Sequence, residues 1–145
     1  MFVRVLAMND PIPDSSLPRQ KTVLLVEDDH DVRVALRRLL EEAGYELWTA
    51  GDGRSAFAML EHATTVPDVI VLDLMMPVMD GWMLIDELKQ QARFAEIPVI
   101  IQSAFRDPPP PHGVAGFLDK PIDEQALLRA IRRQLLRFMP STDEL

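Results

Sequence analysis

A doubly wound α/β domain, with five parallel strands alternating with helices, is the fold this sequence predicts, and three observations carry it. Short runs of β-branched and aliphatic residues recur along the chain, as in "TVLLV" and "VIVLDL". A strand that is apolar at every position is covered on both faces, which is how parallel sheets are built. Between these runs lie segments whose apolar residues fall three and four apart, the period of a helix. The two patterns alternate along the chain, and that alternation selects a sheet with helices on both faces.

The elements follow in order. Residues 1–20 carry Pro11, Pro13 and Pro18 among Asp, Asn and Ser and read as a flexible leader. The folded domain is expected over residues 21–138, with 139–145 as a C-terminal tail. The first strand, "TVLLVEDD", ends in acids. "HDVRVALRRLLEEAG" then sets Val32, Ala35, Leu36, Leu39, Leu40 and Ala43 at helical spacing before Gly44 closes the helix. "YELWTA" is the second strand, and "GRSAFAMLEHA" a helix with Ala56, Phe57, Leu60 and Ala63 on one face. "PDVIVLDL" is a buried strand, "DGWMLIDELKQQ" a helix, "IPVIIQSA" a strand, "GFLDK" a short fifth strand and "DEQALLRAIRRQLLRF" the last helix.

One connection breaks the pattern. Between the fourth and fifth strands the chain reads "SAFRDPPPPHGVAGFLDKP". Pro108 to Pro111 have no backbone N–H and clash with the preceding turn, so they cannot lie inside an α-helix and favour polyproline II or a turn. A helix of about 11 residues, the usual mean, does not fit the segment. The helix there is expected to be missing or reduced to one turn near His112 to Ala115.

Composition narrows the function. The 145 residues, 48% of them hydrophobic, suffice for one core. A net charge of −8 disfavours direct nucleic-acid binding, which draws on clustered Lys and Arg. With no cysteine there is no disulfide, thiol nucleophile or thiolate metal site. No apolar run approaches the roughly 18–20 residues that cross a bilayer, and "MFVRVLAM" is too short for a signal sequence. A cytoplasmic location without membrane contact is expected.

In doubly wound sheets the functional crevice lies at the carboxyl ends of the strands. Here the first strand ends in Glu27, Asp28 and Asp29, the third in Asp73, the fourth in Ser103, and the fifth in Lys120 followed by Pro121. Gathered carboxylates repel unless a hard cation lies among them, and an all-oxygen donor set suits Mg²⁺ or Mn²⁺. A lysine and a hydroxyl beside them suit an anion with several oxygens. Attack of a carboxylate on phosphorus, with a metal and a lysine holding the phosphoryl oxygens, needs little else. The nucleophile is expected on the central strand, at Asp73. Each residue alone has a plainer reading: a helix-capping acid, a turn hydroxyl or a solvated lysine. Their joint placement on four strand ends is the specific signal.

These residues resemble the receiver domain of two-component response regulators. "VLLVEDD", "VIVLDLMMPVMDGW", "VIIQSA" and "FLDKP" are similar to its four signature segments, in the same order, and the likeness covers about residues 21–138. The resemblance implies a flavodoxin-like sheet of order 2-1-3-4-5. It implies that Asp73 is the phosphoacceptor, that Asp28 ligates Mg²⁺ directly and Glu27 through water, and that Met75 lends its backbone carbonyl. Asp29 becomes an extra acid beside the pair. Ser103 takes the place of the switch hydroxyl, Ala104 is the small residue that admits the phosphoryl group, and Lys120 contacts the phosphate, with a cis bond to Pro121. Phe117 falls at the switch aromatic position, or is a plain core residue of the strand. The donor would be a histidine kinase or histidine phosphotransfer protein, and the only reactions catalysed the chain's own phosphorylation and dephosphorylation. Output would pass to a further protein or through a homodimer. Apolar Met75 and Phe105, where the family's polar residues help place an attacking water, imply slow self-dephosphorylation.

Rival readings fit less well. An aspartyl-phosphate phosphatase of the haloacid-dehalogenase type needs a second acid two residues after its nucleophile, and Met75 stands there. A nucleotide site needs glycines where "EDDHD" follows the first strand. A receiver-shaped interaction module without phosphorylation would not require Asp28, Asp73, Ser103 and Lys120 together. Arg129, Arg132, Arg133 and Arg137 on the last helix form either a solvated face or a docking stripe for an acidic partner or a dimer contact.

Overall fold

The computed structural model describes residues 19–104, 109 and 111–136 of the chain. The leader before residue 19, Phe105, Arg137, the tail, and Pro108 and Pro110 of the proline run, about which the sequence raises expectations, lie outside these residues. The described elements are β1 (Thr22–Val26), α1 (His30–Glu42), β2 (Glu46–Ala50), α2 (Gly53–His62) and β3 (Val69–Asp73). They continue with α3 (Gly81–Lys89), β4 (Val99–Ser103), β5 (Gly116–Asp119) and α4 (Glu124–Leu136). The strands form one parallel sheet in the order β2-β1-β3-β4-β5, as the sequence led us to expect.

Burial explains why the central strands read as unbroken apolar runs. Successive side chains of a strand point to opposite faces, and here both faces are covered. Leu24, Val26, Ile70, Leu72 and Ile101 pack with Leu60 of α2, with Leu84 and Leu88 of α3, and with Phe94. Val23, Leu25, Val69, Val71 and Ile100 pack on the other face with Leu36 and Leu40 of α1 and Leu127 and Ile131 of α4. All four described helices begin at aspartates whose carboxylates take up free backbone N–H groups: Asp29 for α1, Asp52 for α2, Asp80 for α3 and Asp123 for α4. Gly44, at φ +100°, turns the chain out of α1.

Among the described residues no helix lies between β4 and β5; the fourth helix, α4, follows β5. The described part of the connection is Ala104, Pro109 and residues 111–115, with a turn at His112 and Gly113. This part lies against α3. The Trp82 indole N–H donates to the Pro109 carbonyl at 3.2 Å, and the Lys89 ammonium donates to the His112 carbonyl. The Ala115 N–H then bonds the Val99 carbonyl at 2.8 Å and starts the pairing of β5.

Val78, in the loop from β3 to α3, sits at φ +67° with 74% of its surface exposed. A β-branched residue in the left-handed region is strained, and this one gains little burial to offset the strain. Val78→Gly is expected to stabilise the fold by on the order of 1 kcal/mol, seen as a higher urea midpoint at unchanged slope.

Candidate functional site

Because all five strands are parallel, their carboxyl ends meet on one rim, where the residues the sequence singled out come together. Carboxylate oxygens of Glu27, Asp28 and Asp73 lie within 4.8 Å of one another. Glu27 is fully buried and Asp73 nearly so, whereas Asp28 is exposed at the mouth. The Lys120 ammonium spans two of the acids. It donates to Glu27 at 2.9 and 3.1 Å and to Asp73 Oδ2 at 3.1 Å. The other oxygen of Asp73 accepts the Met75 backbone N–H at 3.1 Å.

Backbone bonds hold the rim in place. The Glu27 N–H bonds the Ala50 carbonyl at 3.1 Å, and the Lys120 N–H bonds the Ser103 carbonyl at 2.9 Å, which ties the lysine to the serine strand. The Lys120-Pro121 peptide is cis. Ser103 is fully buried at the end of β4, followed by exposed Ala104. Gly81 brings α3 against the end of β3: a Cβ there would stand 2.7 Å from Leu74 Cα and 2.9 Å from the Asp73 carbonyl oxygen. Only glycine permits that approach.

The structure also gives the surroundings of Asp29 and Phe117. Asp29 lies outside the carboxylate cluster and caps α1, accepting the N–H groups of Asp31 and Val32 at 3.0 and 3.1 Å. Phe117 packs partly buried against the core on the α2 and α3 face. The Met75 side chain is 49% exposed beside the site. Two residues the sequence did not point to also belong here. Arg33 donates to the backbone carbonyls of Glu27 at 2.7 Å and Asp28 at 3.4 Å, holding the acidic turn from within α1. A cation so near a helix N-terminus opposes the helix dipole, which was the available clue that it has a partner. Gln102, a buried amide in the strand "VIIQS", pairs in register with Asp73.

Burial pushes the Glu27 carboxyl up from 4.5 to about 7; the Lys120 hydrogen bond opposes this and the neighbouring Asp73 adds to it. For Lys120 burial works downward, but the hydrogen bond to Glu27 and the charge of Asp73 outweigh it and raise the ammonium above its ordinary value. Two acids and one ammonium thus leave one excess negative charge. A proton on Glu27 can absorb that charge, and so can a hard cation among the three carboxylates, whose oxygen donors fit Mg²⁺.

The likeness to known proteins agrees with this geometry. The profile of the response regulator receiver domain matches residues 23–132. The chain is 39% identical over 129 residues to the response regulator PleD of Caulobacter vibrioides, covering 85% of this chain and 28% of that protein. A 14.6 kDa uncharacterised protein of Leptolyngbya boryana is 32% identical over 126 residues, covering 83% of this chain and 95% of that one. The chemotaxis response regulator CheY4 of Vibrio cholerae superimposes with a TM-score of 0.71 at 30% identity, covering 81% of this chain and all of that one. A receiver domain of a Pseudomonas aeruginosa sensor histidine kinase, described with magnesium coordinated in its active-site cleft, gives a TM-score of 0.71 at 25% identity over 81% and 98% of the two chains.

The buried carboxyl has a consequence for folding. In the unfolded chain Glu27 releases its proton near 4.5 and in the folded one near 7. Between those values the folded form holds the extra proton, so metal-free stability falls as pH rises through that window. Urea titrations from pH 4.5 to 8 are expected to show this decline, and Glu27→Gln is expected to flatten it relative to the parent chain.

Proposed function

The chain belongs to the response regulator receiver domain family, and on that premise we propose that Asp73 accepts a phosphoryl group from a phosphohistidine of a histidine kinase or histidine phosphotransfer protein. The observation that carries the reading is the Lys120 ammonium held between Glu27 and Asp73, beside three converging carboxylates. A carboxylate oxygen of Asp73 attacks phosphorus while the phosphorus–nitrogen bond to the imidazole breaks, leaving an acyl phosphate on Asp73 and the histidine on the donor.

Lys120 counters charge on the phosphoryl oxygens and Ser103 donates to them. Asp28 and Asp73, the Met75 carbonyl, and Glu27 through water would hold Mg²⁺, with Mn²⁺ as an alternative; the cation neutralises charge that develops in transfer. Ala104 leaves room above the carboxylate. Phosphorylation then biases an equilibrium between two arrangements, which a protein partner or a second copy reads in the cytoplasm. Arg129, Arg132 and Arg133, exposed on α4, offer such a partner a basic face.

Incubation with acetyl phosphate is expected to label the chain only with Mg²⁺ present, and Asp73→Asn is expected to abolish labelling. Labelling that persists in Asp73→Asn would defeat the phosphoacceptor assignment, and no labelling of the parent chain would favour an interaction module without phosphorylation. Because Glu27 must shed its proton to serve a cation, Mg²⁺ affinity is expected to be weaker at pH 6 than at pH 8. Calorimetric titration at both values checks this, and Glu27→Gln should remove most of the difference.

A further inference from the structure

The layer of side chains that holds Glu27 and Asp73 contains a further polar group. Alternation along the strands puts Glu27 on the same face as Val23 and Leu25, Asp73 with Val69 and Val71, and Gln102 with Ile100. Register pairs Asp73 with Gln102, and Gln102 with Leu118. Gln102 therefore stands beside Asp73 on one side as Glu27 does on the other. Lys120 follows β5 yet bonds acids at the ends of β1 and β3, so its side chain crosses the end of β4, where Gln102 lies.

Gln102 is fully buried, and neither its Nε2 nor its Oε1 has a hydrogen-bond partner among the described residues. Native cores rarely leave an amide unpaired at both ends, and one found next to a reactive carboxylate calls for a state that pairs it. A leucine or methionine would fill the space without that cost.

We infer that Gln102 is a positioning residue whose partners arrive with the phosphoryl group on Asp73. The inference rests on the reading of Asp73 as phosphoacceptor. Lys120 now spends its N–H donors on two carboxylates. When Glu27 serves a cation, the ammonium loses one of these acceptors, and Gln102 Oε1 is a neutral acceptor in the same layer. Its Nε2 can then donate to an oxygen of the phosphorylated side chain. Gln102 thereby holds Lys120 toward the phosphoryl group and favours the phosphorylated arrangement without adding charge.

Beryllofluoride with Mg²⁺, the phosphoryl mimic, tests this on the full chain. The side-chain amide of Gln102, assigned by its disappearance in Gln102→Met, is expected to shift and to exchange more slowly with solvent when beryllofluoride binds. Gln102→Met is expected to bind beryllofluoride about tenfold more weakly, the effect of one hydrogen bond to a charged group. Its free form is expected to be at least as stable to urea as the parent chain. An amide signal indifferent to beryllofluoride, or parental affinity in Gln102→Met, overturns the role of Gln102 and leaves the phosphoacceptor reading standing. Beryllofluoride uptake that is absent from the parent chain, or unchanged in Asp73→Asn, overturns both. Should Gln102→Met not fold, the amide signal of the parent chain, assigned instead by through-bond correlation to the Gln102 backbone, decides.

Discussion

The rest of the site depends on one ammonium placed between two buried carboxylates. Lys120 and Glu27 are 93 residues apart in sequence, and Lys120 and Asp73 are 47 apart, so only the parallel sheet can bring them together. Buried charges persist when they are paired and hydrogen-bonded, and this trio is both. It also carries one negative charge too many. The surplus is what makes the rim responsive, since a proton, a metal ion or a change in the lysine's allegiance each resolves it differently. The raised pKa of Glu27 and the exposure of Asp28 divide the labour: a deep acid that can hold a proton, and a shallow one open to arriving ions.

Most of this is legible in the sequence. The strands were readable because a sheet buried on both faces leaves no alternation to confuse with a helix, and the helices because their apolar residues recur three and four apart, as Leu36 and Leu40 do on the buried face of α1. Glu27, Asp28, Asp73, Ser103 and Lys120 were readable together because strand ends of a parallel sheet must share a rim. Asp29 follows the acidic pair directly in the sequence. One residue beyond the pair the backbone has already begun to turn, which directs its carboxylate to α1.

Arg33 and Gln102 were missed for different reasons. Arg33 works through main-chain carbonyls, and carbonyls carry no mark in a sequence. Gln102 was in plain view within "VIIQS", but its meaning depends on which neighbour the register supplies, and register between parallel strands far apart in sequence is a tertiary fact.

The described part of the connection between β4 and β5, which lies against α3, shows what a proline carbonyl offers a neighbouring helix. A helix would use most of its carbonyl groups internally and present side chains to its neighbours. A run of prolines has carbonyls but no N–H, so its backbone can only accept. Helix α3 supplies two donors to main-chain oxygens: the Trp82 indole grips the Pro109 carbonyl, and the Lys89 ammonium grips the carbonyl of His112, just after the run. Neither bond depends on the side chain of the residue it holds. A substitution at either held position leaves a main-chain oxygen for the same donor, since every residue carries a carbonyl.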